Sequence, residues 1–195
     1  MRARHLPSFE FQRERWRNGA GWTREILSAP GHGAAFAWRT SIAEIEHDCR
    51  FSTFPGCERQ LILLSGDGAR LQFDDGRETV LDPPHGRATF AGEDAPHCIV
   101  SGRVQVFNLI ADRNAVDIDL LHRPLVGPMV FFPEPAVQWL LYLISGRAEL
   151  PDAARRVLLE QGDALLLTPE PEAPSRLVLS GGGEVLLARI TTLSA

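Results

Sequence analysis

The chain has 195 residues, 44% of them hydrophobic, which is enough to bury the core of one domain or of two small ones packed as a unit. A formal net charge of -5 excludes the broad basic face of a general nucleic-acid binder, and no run of about eighteen apolar residues offers a membrane span. Cys49, Cys57 and Cys98 form no Cys-x-x-Cys pair, which excludes a disulfide framework and a zinc knuckle and leaves free thiols.

Residues 1–16 alternate charge and aromatic character without the apolar stretch of a secretory signal, so a cytoplasmic location is expected. From Trp16 to Ile26 the chain reads Trp-Arg-Asn-Gly-Ala-Gly-Trp-Thr-Arg-Glu-Ile, a turn built on Gly19, Ala20 and Gly21 followed by a strand. Strand alternation puts Thr23 and Glu25 on one side and Arg24 and Ile26 on the other. In the next strand Arg39, Ser41 and Ala43 alternate with Trp38, Thr40, Ile42 and Glu44, so polar groups face both ways. Arg59 then opens the apolar run Leu61 to Leu64. Arg24, Arg39 and Arg59 together suggest an anion site, because a guanidinium holds a carboxylate through two parallel hydrogen bonds. Each taken alone also fits a surface arginine that ties loops together.

Helical periodicity is missing, and short alternating or apolar runs recur between Gly, Pro, Asp and Ser, the pattern of an all-β sandwich or barrel. The predicted strands are 23–27, 38–45, 59–65, 69–73, 78–81, 88–90, 97–100 and 104–111. The loop Phe51-Ser-Thr-Phe-Pro-Gly56 either covers a pocket mouth or anchors its rings in the core. Asn108 shares a face with Val104, Val106 and Ile110, where an amide without partners costs about 1 to 3 kcal/mol.

The second half repeats this order. Leu61-Ile-Leu-Leu-Ser-Gly66 matches Leu141-Tyr-Leu-Ile-Ser-Gly146, Gly86 to Phe90 matches Gly162 to Leu166, and Val106 to Ile110 matches Leu186 to Ile190. This is an internal duplication. Its strand-Gly-strand order looks like the cupin jelly roll and predicts a bicupin, two jelly-roll barrels packed as one compact unit. Residues 1–115 are assigned to an N-terminal barrel with the ligand pocket and 116–195 to a connector and a C-terminal barrel, the proline-bearing crossing between the barrels being read from Asp112 to Ala136 across that boundary. The match pairs Asn108 with Ala188, so the pocket is expected in the first barrel only.

The six histidines, His5, His32, His47, His85, His97 and His122, contain no His-x-His, so no metal and no cofactor are expected. His85, near the strand 88–90, is retained as an auxiliary polar group at the barrel rim. Cys98 and His97 point to opposite strand faces and form no nucleophile pair. Gly-x-Ser-x-Gly, Gly-x-x-x-x-Gly-Lys and Gly-x-Gly-x-x-Gly motifs are absent.

Trp16 to Ile26, Trp38-Arg-Thr-Ser-Ile-Ala-Glu44, Phe51-Ser-Thr-Phe-Pro-Gly-Cys-Glu-Arg59 and Phe107-Asn-Leu-Ile110 together resemble the HutD/Ves family of bacterial proteins. The resemblance covers the first 113 residues by motif and the rest by pattern. It implies a bicupin without an established metal, some members of which accompany histidine-utilisation enzymes while others are linked to stress responses. It further implies a regulatory small-molecule binder, its ligand a carboxylate-bearing metabolite such as a formylated amino acid. Carried over by motif, the pocket comprises Asn18, Thr23, Arg24, Glu25, Arg39, Ser41, Arg59 and Asn108. Val106 stands where the family often has Asp, and Ala20 where many members have Gly. A metal-independent enzyme using Glu25 or His85 as acid or base is the alternative, and a structural duplication that binds a protein partner is a weaker one. No nucleic acid or membrane partner is expected, and a homodimer is compatible with the sequence.

Overall fold

The computed structural model describes residues 1–31, 36–151, 156–170 and 176–193, so His32 lies outside the described residues. In chain order the strands are β1 (Arg2–Leu6), β2 (Gln12–Arg15), β3 (Gly21–Ala29), β4 (Trp38–Ile45), β5 (Cys49–Arg50), β6 (Cys57–Ser65), β7 (Ala69–Gln72), β8 (Glu78–Leu81) and β9 (Arg87–Ala91). They continue as β10 (His97–Val100), β11 (Val104–Asp112), β12 (Val116–Val126), β13 (Met129–Phe131), β14 (Val137–Pro151), β15 (Arg156–Glu160), β16 (Ala164–Thr168) and β17 (Leu177–Thr192). Among the described residues the single helical element is a 3-10 turn at Ser8–Glu10, and no helix is long and apolar enough to cross a membrane.

The chain divides into two units. The leading one, Phe11–Val116, contains a six-stranded sheet, β2-β3-β4-β11-β6-β9, and a four-stranded sheet, β5-β10-β7-β8. One apolar core joins them: Ala43, Ile45, Leu61, Leu63, Phe90, Val104 and Val106 come from the larger sheet and Cys49, Leu71, Leu81 and Cys98 from the smaller. Period-two alternation sets this division, since every second residue of β6 and β11 faces the core. All three cysteines are buried and free, and burial pushes the thiols of Cys49 and Cys98 up to about 11 and about 12.

Two glycines shape the β2–β3 hairpin. Gly19 has φ +72°, a left-handed conformation that a side chain disfavours, and a Cβ on Gly21 would lie 2.2 Å from the Glu44 carbonyl oxygen. The close approach lets β3 pair with β4 from its first residue, Gly21 opposite Ile45.

The second unit contains Met1–Glu10 together with Asp117–Ala195, and its sheet runs β1-β16-β14-β17-β12, with β13 beside β17 and β15 beside β14. β14 and β17, of 15 and 16 residues, are its longest strands. The ladder between them slips at Ile144, between Leu143 and Ser145. Inward positions on β14 accordingly change from Leu141 and Leu143 to Ala148 and Leu150, as an inserted residue in a bulge requires.

Two expectations need correction here. The first ten residues do not group with the leading unit: β1 pairs antiparallel with β16, Leu6 opposite Ala164. The proline-bearing segment after Asp112 is not a plain connector, because it contains β12 and β13. Val116, Ile118 and Leu120 alternate with exposed Asp117 and Asp119, and strand pairing of that pattern outweighs the prolines, which stand near its end.

Asp163 fastens the N-terminal segment. It is 7% exposed, accepts hydrogen bonds from the backbone N–H of Ser8 (2.9 Å) and Glu160 (3.1 Å), and lies 3.0 Å from His5 Nε2. Burial pushes its carboxyl pKa up, but the two backbone bonds and His5 outweigh burial and hold it below the ordinary carboxylate value. A depressed folded-state pKa stabilises above the unfolded value and is lost as pH falls through the folded one. Asp163→Asn is therefore expected to destabilise the protein by about 1 to 3 kcal/mol at neutral pH. In urea melts from pH 7 downward the gap to wild type should close below about pH 4, the ordinary aspartate range.

Candidate functional site

The six-stranded sheet presents its core-side residues in cross-strand rows. One row reads Ser28, Arg39, Ile110, Arg59, Phe90, and the next reads Glu25, Ser41, Asn108, Leu61, Ala88. Neighbours within a row are about 5 Å apart, so the two arginines flank Ile110 and Asn108 lies between Ser41 and Leu61. Above these rows, inside the leading unit, is a cavity of about 520 Å³. β2, β3, β4, β6, β11 and the loop after β5 wall it.

Arg59 dominates the base. It is 5% exposed, and no carboxylate lies within ion-pair distance among the described residues. Its Nη1 donates to the Ser52 carbonyl (3.2 Å) and its Nη2 makes a long bond to Asn108 Oδ1 (3.4 Å), while Nε is buried without a partner. The guanidinium carbon lies 5.0, 5.3 and 5.1 Å from the ring centroids of Phe51, Phe54 and Phe90. Burial, with the neighbouring charge of Arg39 adding to it, pushes the Arg59 pKa down to about 10, so it remains a cation at neutral pH. Cation–π contacts are worth up to about 2 kcal/mol each when desolvated, whereas a buried charge without a counter-ion costs several kcal/mol. The site is left short of one negative charge.

Arg39 differs, because its Nε donates to Glu25 Oε2 (2.7 Å), and Glu25 also accepts the Ser28 hydroxyl (3.1 Å). Thr23 Oγ1 accepts the indole N–H of Trp16 (2.7 Å), and Asn18 Oδ1 accepts the backbone N–H of Ala20 (3.0 Å). Asn18, Thr23, Arg39, Ser41, Arg59 and Asn108 all line the cavity.

Three of the residues assigned to the pocket lie elsewhere. Arg24 is on the opposite face of β3, 3.1 Å from Glu44 Oε1, with Arg13 on the other oxygen of the same carboxylate (2.7 Å). Its neighbour Thr23 faces the cavity, so strand alternation sends Arg24 away. Glu25 is outside the lining and acts on Arg39 from beside it. His85 has φ +61°, and its Nδ1 lies 3.3 Å from the Leu63 carbonyl, away from the cavity wall.

Other lining residues come from the strand at 12–15, which sequence reasoning passed over, and from the start of the Trp16–Ile26 stretch, whose first residues were not assigned to the pocket. Glu14, Arg15, Trp16 and Arg17 belong to or follow β2, which pairs with β3 through Glu14 opposite Thr23. The charged run Gln12 to Arg15 just before a glycine turn was the available signal, that of a blunted edge strand. The loop from Phe51 is both wall and anchor: Phe51 is buried, and both its phenylalanines stack on Arg59. Val106 lines the cavity, and Ala20 is buried beside the hairpin.

Strand register corrects the pairing of Asn108 with Ala188. Asn108 stands opposite Leu61, and Leu141, the equivalent of Leu61, stands opposite Leu187. Leu187 faces the second core, so the counterpart of Asn108 is Leu187, and that of Arg59, two residues before Leu61, is Trp139.

The whole molecule has clear relatives. Its all-β fold matches HutD from Pseudomonas fluorescens SBW25 with a TM-score of 0.82 at 26% identity, covering 99% of this chain and 100% of that one. It also matches the bacterial pirin YhhW of Escherichia coli in complex with nickel(II), with a TM-score of 0.74 at 14% identity, a likeness of cupin-like fold alone. A 21.2 kDa protein in the hutC 3' region of Pseudomonas putida is 41% identical over 107 residues, 54% of this chain and 56% of that protein. That match thus spans little more than half the relative's length. Protein Ves of Cronobacter sakazakii is 31% identical over 186 residues, 91% of this chain and 93% of that protein. The family model for HutD matches residues 8–187, and the chain belongs to the HutD family.

Proposed function

We propose that the chain binds a small carboxylate-bearing metabolite in the cavity of its leading unit and serves as a regulatory binding protein, its two units being tandem jelly rolls of a bicupin. The observation that carries this reading is Arg59, a buried cation beside a cavity, with aromatic rings around it and no carboxylate among the described residues close enough to neutralise it. A carboxylate entering the cavity supplies that charge, and each charge-assisted hydrogen bond contributes about 1.5 to 3 kcal/mol. Three of them near the upper end of that range reach the roughly 8 kcal/mol of a micromolar complex, and two give a weaker one. The relative from P. fluorescens was determined in a formate condition, formate being the simplest carboxylate, and the P. putida relative is described by a hutC region. Both support a formylated amino acid of histidine catabolism as the example to test first. The enzymatic alternative lacks such support, since Glu25 is engaged by Arg39 and Ser28 and His85 lies outside the lining.

A thermal-shift screen of formate, formylated amino acids, urocanate-like acids and simple carboxylates, run with and without chelator, tests this directly. At a hundred times its dissociation constant a ligand adds about 2.7 kcal/mol of stability, and chelator should leave the response unchanged. A flat response to every acid would end the proposal.

Asn108→Asp gives a second test, because it installs the missing counter-ion beside Arg59. Melting should show a gain of about 1 to 3 kcal/mol, while calorimetric titration shows carboxylate binding abolished. Arg59→Met, an apolar replacement for a buried charge, should fold with stability close to wild type and lose binding as well.

A further inference from the structure

Cys49 and Cys98 are far apart in sequence, yet they stand directly opposite one another on β5 and β10. Both side chains belong to one core cluster, so they point to the same side of the four-stranded sheet. Two positions along this ladder the Phe51 N–H donates to the Pro96 carbonyl (3.0 Å), which makes Cys49 and Cys98 a hydrogen-bonded pair. The Cα atoms of such a pair are about 5.5 Å apart, inside the window of about 4.4 to 6.8 Å that a disulfide spans. Cys57, the third thiol, is on β6 in the other sheet. Burial pushes the Cys49 and Cys98 thiols up to about 11 and about 12, so both stay protonated and unreactive at neutral pH while the sheet is closed. β5 provides the opening. It has two residues, lies at the edge of its sheet, and among the described residues pairs with β10 alone. Short edge segments with few contacts separate from a fold at low cost. Arg50, Phe51 and Ser52 of the cavity wall follow Cys49 directly.

We infer that Cys49 and Cys98 are a redox pair, that a peroxide closes them to a disulfide when β5 opens, and that this bond fastens the root of the loop that holds Arg59. One thiolate attacks a peroxide oxygen, breaking the O–O bond and giving a sulfenic acid and hydroxide. The partner thiolate then attacks the sulfenic sulfur, forming the S–S bond and expelling a second hydroxide. In sum two thiols lose two electrons and two protons, and hydrogen peroxide is reduced to two waters. The consequence is local: Phe51, Ser52 and Phe54, which contact Arg59, continue from a strand that the bond ties to β10. It holds whichever ligand the cavity takes.

Treatment of the folded full chain with hydrogen peroxide, read by intact mass, peptide mapping and hydrogen exchange, tests it. The expected result is a loss of about two mass units, a cross-linked peptide joining Cys49 to Cys98, and amide exchange at 49–54 slowed about tenfold, all reversed by dithiothreitol. Cys57→Ala should respond as wild type does. A bridge to Cys57, sulfinic or sulfonic acid in place of a disulfide, or no reaction under conditions that oxidise the urea-unfolded chain overturns the pairing. A Cys49–Cys98 bond that leaves exchange at 49–54 unchanged overturns its action on the loop.

Discussion

A guanidinium buried with no carboxylate beside it among the described residues is the constraint around which the leading unit is arranged. Arg59 sits in the middle of a sheet, at a row position where an apolar residue would be the stable choice. The chain contributes what neutral groups can: a carbonyl from Ser52, an amide oxygen from Asn108 and the faces of Phe51, Phe54 and Phe90. Those contacts keep the cation in place without cancelling its charge. Two of the rings and the Ser52 carbonyl come from one loop, so ordering that loop and holding the charge are a single event. The local cost is tolerated because the surrounding core, from Ile45 to Val106, is buried and continuous across two sheets.

Three of the four other arginines of the wall show what a satisfied site would look like, while the fourth, Arg17, is exposed. Arg39, Arg15 and Arg50 each meet a carboxylate of the chain, at Glu25, Glu46 and Asp74. These pairs stiffen the wall while removing most of its net attraction for anions. The field at the cavity base is thereby concentrated on one group. In water such pairs contribute little stability, but where a charge is desolvated the same geometry decides which ligand fits.

Much of this was legible in the sequence, and the failures have physical causes. Alternation along β4 and β11 correctly separated Arg39 and Ser41 from Trp38 and Glu44, and placed Asn108 with Val106 and Ile110, because a strand face follows from parity alone. The same rule, applied consistently, already put Arg24 on the face opposite Thr23; reading three arginines as one cluster overrode it. Side-chain engagement was invisible: nothing in the spacing of Glu25 and Arg39 says that the carboxylate neutralises the arginine. Nor does the spacing say that Arg59 lacks such a partner, since a missing contact depends on every strand that packs nearby. The N-terminal strand was missed because its pairing partner, β16, lies more than 150 residues away and local pattern does not record it.

Register changes the meaning of the duplication more than its existence. Matching Val106 to Ile110 with Leu186 to Ile190 slips by one residue, and a slip of one exchanges the buried and outward faces of a strand. Once Leu61 and Leu141 are superposed through their ladder partners, Asn108 corresponds to Leu187 and Arg59 to Trp139. Leu187 is buried, and Trp139 packs edge-on against Phe131, 5.8 Å between ring centroids. The second unit thus fills with apolar side chains the positions that the first assigns to a cation and an amide. Two copies of one strand order therefore reach different ends through two side chains. Where both are apolar the core closes, and where one carries a charge with no carboxylate beside it among the described residues, a cavity remains next to it.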